Sequence, residues 1–189
     1  MTAVETLGSK QVYANPWMTV REDAIRRPDG STGIYGVVES PDIALVVPVE
    51  GDRVQLVEQY RHPVAGRRWE FPSGTADQRL DADPAALAAR ELREETGLVA
   101  GALTPLGTLD VAPSMLSLRC RVFLATDLTH GAPERELEEQ DMRSAWFSRR
   151  RRAHDHRGRH HRRQDLGGVL TAAPAPADLC ARQSVDHVP

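Results

Sequence analysis

Residues 83–98 read DPAALAARELREETGL, and the arrangement of the chain follows from this stretch. Asp83 suits an N-cap, because its carboxylate can accept a free amide of the first turn, and Pro84 at the first helical position has no amide to satisfy. Gly97 can take the left-handed conformation that ends a helix without steric cost. A helix is therefore predicted over Pro84 to Thr96. On a helical wheel Glu91, Glu94 and Glu95 share one arc, while Ala85, Ala89, Leu92 and Thr96 lie opposite. The wheel predicts an acidic face exposed to solvent and an apolar face turned to the core. Glu91 and Glu95 lie one turn apart, about 6 Å along the axis, so their carboxylates can converge on a hard divalent cation. A competing reading is a solvated face on which Arg90 and Arg93 pair with the glutamates.

Outward from the helix the pattern changes to strands. Ile43 to Val49 is apolar and rich in β-branched residues, Glu50-Gly51-Asp52 is a turn, and Val54 to Tyr60 follows as the second arm of a hairpin. Further upstream, Val12 to Val38 reads as short strands broken at Asn15-Pro16 and at Pro28-Asp29-Gly30, a small N-terminal sheet. Downstream, Leu118 to Ala125 alternates in polarity, and Met142 to Phe147 is another candidate strand. Strands on both sides of one strong helix predict an α+β or mixed α/β layered fold. No internal repeat is present.

Arg90-Glu91-Leu92-Arg93-Glu94-Glu95-Thr96-Gly97-Leu98 resembles the second half of the Nudix box at every fixed position, and Trp69-Glu70-Phe71-Pro72-Ser73-Gly74 resembles its glycine entry. The resemblance covers roughly Ile43 to Phe147 and points to the ADP-ribose or ADP-sugar pyrophosphatase branch. It implies an α/β (α+β sandwich) fold, a mixed sheet flanked by helices with a small N-terminal antiparallel sheet. The implied division is an N-terminal lobe over 1–41, a hydrolase domain over 42–148 and a tail over 149–189. The chain departs from the pattern in the first half of the box: Gly74 stands sixteen positions before Arg90, where the family has fourteen. The family's glutamate in that loop is absent, with Asp81 or Asp83 as its replacement, although capping competes for Asp83.

The resemblance also implies roles. Glu91 and Glu95 are the principal ligands of Mg²⁺, or of Mn²⁺; Glu94 is a further ligand or a carboxylate behind them, the Ser73 carbonyl is a main-chain ligand, and Arg90 orients the glutamates. A metal bridging pyrophosphate oxygens neutralises charge and lowers the pKa of a bound water. A general base must then take that water's proton, and in this branch it comes from an acidic loop beyond the box. Glu138-Glu139-Gln140-Asp141 occupies that place, so Glu139 and Glu138 join Glu94 as catalytic candidates; the competing reading is an acidic surface loop. Arg61, in Gln59-Tyr60-Arg61, suits bidentate phosphate contact. Glu70 is a second substrate-binding candidate. Trp17 is a third, by stacking on adenine, although an indole in a small sheet can equally be core. The branch implies a homodimer that exchanges its N-terminal sheets.

Composition narrows the classes. No stretch has the roughly 20 apolar residues of a membrane span, and Met1 to Lys10 does not read as a signal peptide, which places the expectation in the cytoplasm. Cys120 and Cys180 match no metal or redox spacing. Residues 1–148 hold 23 acidic against 15 basic side chains, whereas 149–163 holds eight arginines against Asp155 alone. That run, with His154, His156, His160 and His161, has no apolar period and admits three readings: a nucleic-acid arm, a metal-binding histidine cluster, or a shifted reading frame. Ala153 to Val169, back-translated with GC-rich codons and read one base later, gives the helix-like RMITEGAITDAKTLAAY. The frame-shift reading is favoured, with a poorly ordered tail, and nucleic acid is not the expected partner. The expected reaction is hydrolysis of a nucleoside diphosphate sugar to AMP and a sugar phosphate. Its rivals are hydrolysis of oxidised nucleoside triphosphates and a weakly active Nudix domain that senses nucleotides.

Overall fold

The computed structural model describes residues 4–76 and 83–149, which fall within one unit, Met1–Arg150. Asp81, the second half of the box loop and the expected disorder of the tail lie outside the described residues. Three strands, β1 (Glu5–Ala14), β2 (Thr19–Arg26) and β3 (Thr32–Glu39), form the N-terminal antiparallel sheet. Its turns are local chemistry. The Asn15 side-chain oxygen accepts from the amides of Trp17 and Met18 at 2.9 and 2.8 Å, and Gly30 takes φ 85°.

The second sheet is mixed. It contains β4 (Ile43–Glu50), β5 (Arg53–Arg61), β6 (Gly66–Glu70), β7 (Ser73–Thr75), β8 (Leu98–Asp110), β9 (Arg119–His130) and β10 (Arg143–Ser148). The main order is β10-β5-β4-β9-β8, with β4 and β9 parallel. The expected hairpin forms at Gly51-Asp52, but β4 and β5 pair only at Val49↔Val54 and Glu50↔Arg53 before separating. Into the fork go β6, paired with β5, and β7, paired with β4. This fork brings Ser73 and Gly74 to the helix.

The helix α1 (Pro84–Thr96) has the predicted ends: Asp83 accepts from the Ala85 amide at 3.0 Å, and Gly97 closes it at φ 75°. Leu87, Ala88 and Leu92 pack on Ala44 and Val46 of β4, Phe123 and Ala125 of β9, and Leu98. This cluster is the core. The strand β8 occupies a stretch for which the sequence predicts no element. Gly101, Pro105 and Gly107 interrupt its pattern, and its register shifts between Pro105 and Gly107. As the last strand of the order it can carry a proline, because one of its sides meets no neighbouring strand. Among the described residues no helix is long and apolar enough to cross a membrane.

Candidate active site

The acidic arc of α1 does not face solvent as the wheel predicts. Glu91 and Glu95 are 8% and 1% exposed, while Ala89, assigned to the core face, is exposed. The reason is tertiary: β7 covers the arc. The Ser73 amide donates to the Glu95 carboxylate at 3.2 Å. Gly74 leaves the space that Glu91 fills, since a Cβ there would stand 2.0 Å from the Glu91 carboxyl carbon. Arg90 donates to Glu91 at 3.0 Å. Glu94 is the outlying member, 3.5 Å from Arg90 and 3.8 Å from Arg93. Glu91 and Glu95 are therefore the buried carboxylates of the helix, Glu91 also paired with Arg90, and Glu94 is the more open one, paired with both arginines.

Burial pushes Glu95 up to about 9, the charges of Glu139 and Glu91 add to the rise, and the Ser73 amide and Arg61 oppose it. Burial also raises Glu91, against the pull of Arg90. Two carboxylates held together out of water favour either protons or a cation between them. Their all-oxygen chemistry fits a hard divalent ion, and the missing side chain at Gly74 is what lets the Glu91 carboxylate sit there. Among the described residues no three His, Cys, Asp or Glu side chains close into a ready-made cage. Asp83 is committed to its cap.

Glu139 ends the short 3-10 turn Leu137–Glu139, which Glu138 shares. Its charge is felt at Glu91, Glu95 and Arg61, and burial raises its own pKa. The acidic loop is thus brought to the helix. Its entry caps α1: Gly131 and Glu134 donate their amides to the carbonyls of Gly97 and Glu94 at 2.8 and 2.9 Å, and Arg135 donates to the Glu95 carbonyl at 3.2 Å. Arg135 also donates to the Met142 carbonyl.

Arg61 joins this group, its pKa raised first by Glu70 and further by Glu95 and Glu139. Glu70 accepts from its Nη2 at 2.7 Å and from its Nε at 3.1 Å. Trp17 is 74% exposed at the β1–β2 turn, which removes the core reading of its indole. Sequence reasoning passed over Arg67 and Arg135. Arg67 binds Glu58 and Asp141 together. A single arginine inside the acidic run Glu134 to Asp141 was the available signal for Arg135, while Arg67 carried none.

Comparison with known proteins adds five findings. A nucleoside diphosphate sugar hydrolase N-terminal domain matches residues 4–38, and a NUDIX domain matches residues 40–164. The chain is similar to an ADP-ribose pyrophosphatase of Mycobacterium tuberculosis, 38% identical over 145 residues that cover 76% of this chain and 70% of the relative. It is similar to another from Bacillus subtilis, at 27% over 73% of this chain and 74% of the relative. A crystal structure of an ADP compounds hydrolase shares its fold at a TM-score of 0.69 and 24% identity, over 79% of this chain and 80% of that one.

Proposed function

Because the chain belongs to the Nudix family, we propose that it is a pyrophosphatase that hydrolyses a nucleoside diphosphate sugar, with ADP-ribose as the substrate, to AMP and a sugar phosphate. The carrying observation is the buried pair Glu91 and Glu95 against Ser73-Gly74, with Glu139 electrostatically coupled to both. Glu91 and Glu95 would hold a divalent cation, Mg²⁺ or in its place Mn²⁺, and Glu94 and the Ser73 carbonyl would complete the donor set. When bound, that ion neutralises the pyrophosphate oxygens and lowers the pKa of a coordinated water. Arg90 holds the Glu91 carboxylate. Nε and Nη2 of Arg61 go to Glu70, and Nη1 is the donor offered to a phosphate oxygen.

Glu139, whose burial raises its proton affinity, takes the proton of the attacking water. The water oxygen forms a bond to one phosphorus, the anhydride P–O bond breaks, and the bridging electron pair leaves on the other phosphate. Glu138 is the alternative acceptor on the same turn. Trp17 is exposed on the N-terminal lobe, and we assign it to stacking on adenine. The lobe over 1–41 carries Trp17 and the contact of a homodimer, and 42–148 carries the chemistry. Cys120 is a buried free thiol, which suits a reducing compartment, and the cytoplasm is the compartment we assign. A single-base change near codons 149 to 153 that restores a helix-forming frame supports the shifted-frame reading, and its absence removes it.

The test is a panel of ADP-ribose, ADP-glucose, NADH, diadenosine polyphosphates and oxidised dGTP with Mg²⁺, read as AMP or pyrophosphate released. AMP from ADP-ribose is expected. Pyrophosphate from oxidised dGTP alone transfers the protein to the triphosphate branch, and no turnover at all leaves the sensor reading. Glu95→Gln should lower kcat by roughly a hundredfold or more, as loss of a metal ligand does.

A further inference from the structure

We infer that Arg67 is a positioning residue, which fixes Glu139 over the Glu91/Glu95 pair by gripping the far end of its loop. This rests on the reading of Glu139 as the proton acceptor. The loop is held at its entry by the caps on α1. Its exit has a different anchor. Arg67, on β6, donates from Nη1 to the Asp141 carboxylate at 2.6 Å and from Nη2 to the Asp141 carbonyl at 2.8 Å. The same guanidinium is held from behind by Glu58 of β5, through Nε to the carboxylate and Nη2 to the carbonyl, both at 3.1 Å.

An exposed ion pair alone orders little. Here one planar fork bonds main chain and side chain on both partners, so its orientation is fixed by β5 and its reach fixes the backbone of residue 141. One residue, Gln140, lies between that backbone and Glu139, and hydrogen bonds close the segment on itself: the Met142 amide donates to the Glu139 carbonyl at 2.9 Å, and Gln140 donates to the carbonyls of Arg135 and Glu136 at 3.0 and 2.8 Å. The turn from Glu136 to Met142 is therefore internally closed and moves as a unit. Holding it at Asp141 holds Glu139. Arg67 itself bonds to neither the helix nor its carboxylates, so its effect on the reaction passes through the loop.

The experiment is a double-mutant cycle on ADP-ribose hydrolysis with the full chain and Mg²⁺. Arg67→Ala should lower kcat roughly tenfold to a hundredfold, the range for a misplaced catalytic group, with KM nearly unchanged. Arg67→Lys should recover only part of that rate, because an ammonium cannot span both partners. In a Glu139→Gln background Arg67→Ala should cost little more. A full, additive loss in that background overturns the proposal. If Glu139→Gln alone keeps the parent kcat, the proton-acceptor reading fails first and separately. Asp141→Ala, which deletes one prong far from the fold's interior, should show a smaller loss with the same dependence on Glu139. Its independence of Glu139 also overturns the proposal.

Discussion

Glu91 occupies the volume that any side chain at position 74 would need, so the glycine of the box is a steric requirement of the site. Gly74→Ala should leave the fold intact, because the atom it strikes is the mobile end of a glutamate and not backbone. It should displace that carboxylate and lower kcat by roughly a hundredfold, as a one-ångström misplacement can. Melting and AMP release measured on the same sample check both halves, and full activity would refute the assigned cradle. Glu95 makes a second case. Its folded-state value of about 9 stands above the ordinary 4.5, so between those values the folded chain holds more protons than the unfolded one. Stability then falls as pH rises across that window, and the contribution is fully present only below 4.5. In EDTA, Glu95→Gln should melt above the parent at pH 9, and the gap should close toward pH 4.5. A gap independent of pH by calorimetry would remove the ionisation account.

The helix shows what short-range chemistry determines and what it leaves open. Both ends were legible, because Asp83, Pro84 and Gly97 act on backbone within four residues. Gly97→Ala should destabilise by more than the about 1–2 kcal/mol of a left-handed alanine, because its Cβ would also stand 2.3 Å from the Gly131 carbonyl oxygen. Leu92→Ala, in a fully buried position, should cost about 2–5 kcal/mol; urea unfolding of the two variants tests both. The facing of the helix was not legible. A wheel ranks arcs by polarity, and here the strand β7, arriving through the β4/β5 fork, buries the acidic arc against Ser73 and Gly74. The strand β8 was hidden by Gly101, Pro105 and Gly107, whose turn propensity an edge position tolerates. The box carboxylates could be picked from helical spacing, and Glu139 became a candidate through the resemblance to the family alone. Arg67 could not, because its partners Glu58 and Asp141 meet only after β5, β6 and the loop are assembled.

At the scale of the molecule the N-terminal sheet is an unfinished surface. Every residue of β1 is exposed, and Val4, Leu7, Val12, Tyr13, Ile34 and Tyr35 are large apolar side chains open to water on the same three-stranded unit. A long, exposed strand at an open edge beside apolar side chains is a site for association, and a protein that stays in solution must cover or guard it. The sheet is anchored to the body through main-chain bonds, Val38 to Met115 at 2.8 Å and Ser117 to Val38 at 3.0 Å, so it is a fixed platform. A second copy is the simplest cover, and it carries the same platform, as a two-fold contact requires. The proposed homodimer is therefore expected to depend on this face and not on the acidic site. Ile34→Glu, at a position 66% exposed, adds a charge that one subunit tolerates but two facing copies do not. Sedimentation should give a dimer for the parent chain and a monomer for the variant. The consequence for catalysis follows from where the parts lie: Trp17 belongs to the N-terminal lobe that the proposed dimer would share, whereas Glu91, Glu95 and Glu139 belong to the body. Dissociation should accordingly raise KM for ADP-ribose more than it lowers kcat. A parent chain that sediments as a monomer at micromolar concentration, or a monomeric variant with unchanged KM, would show that each subunit binds the nucleotide by itself.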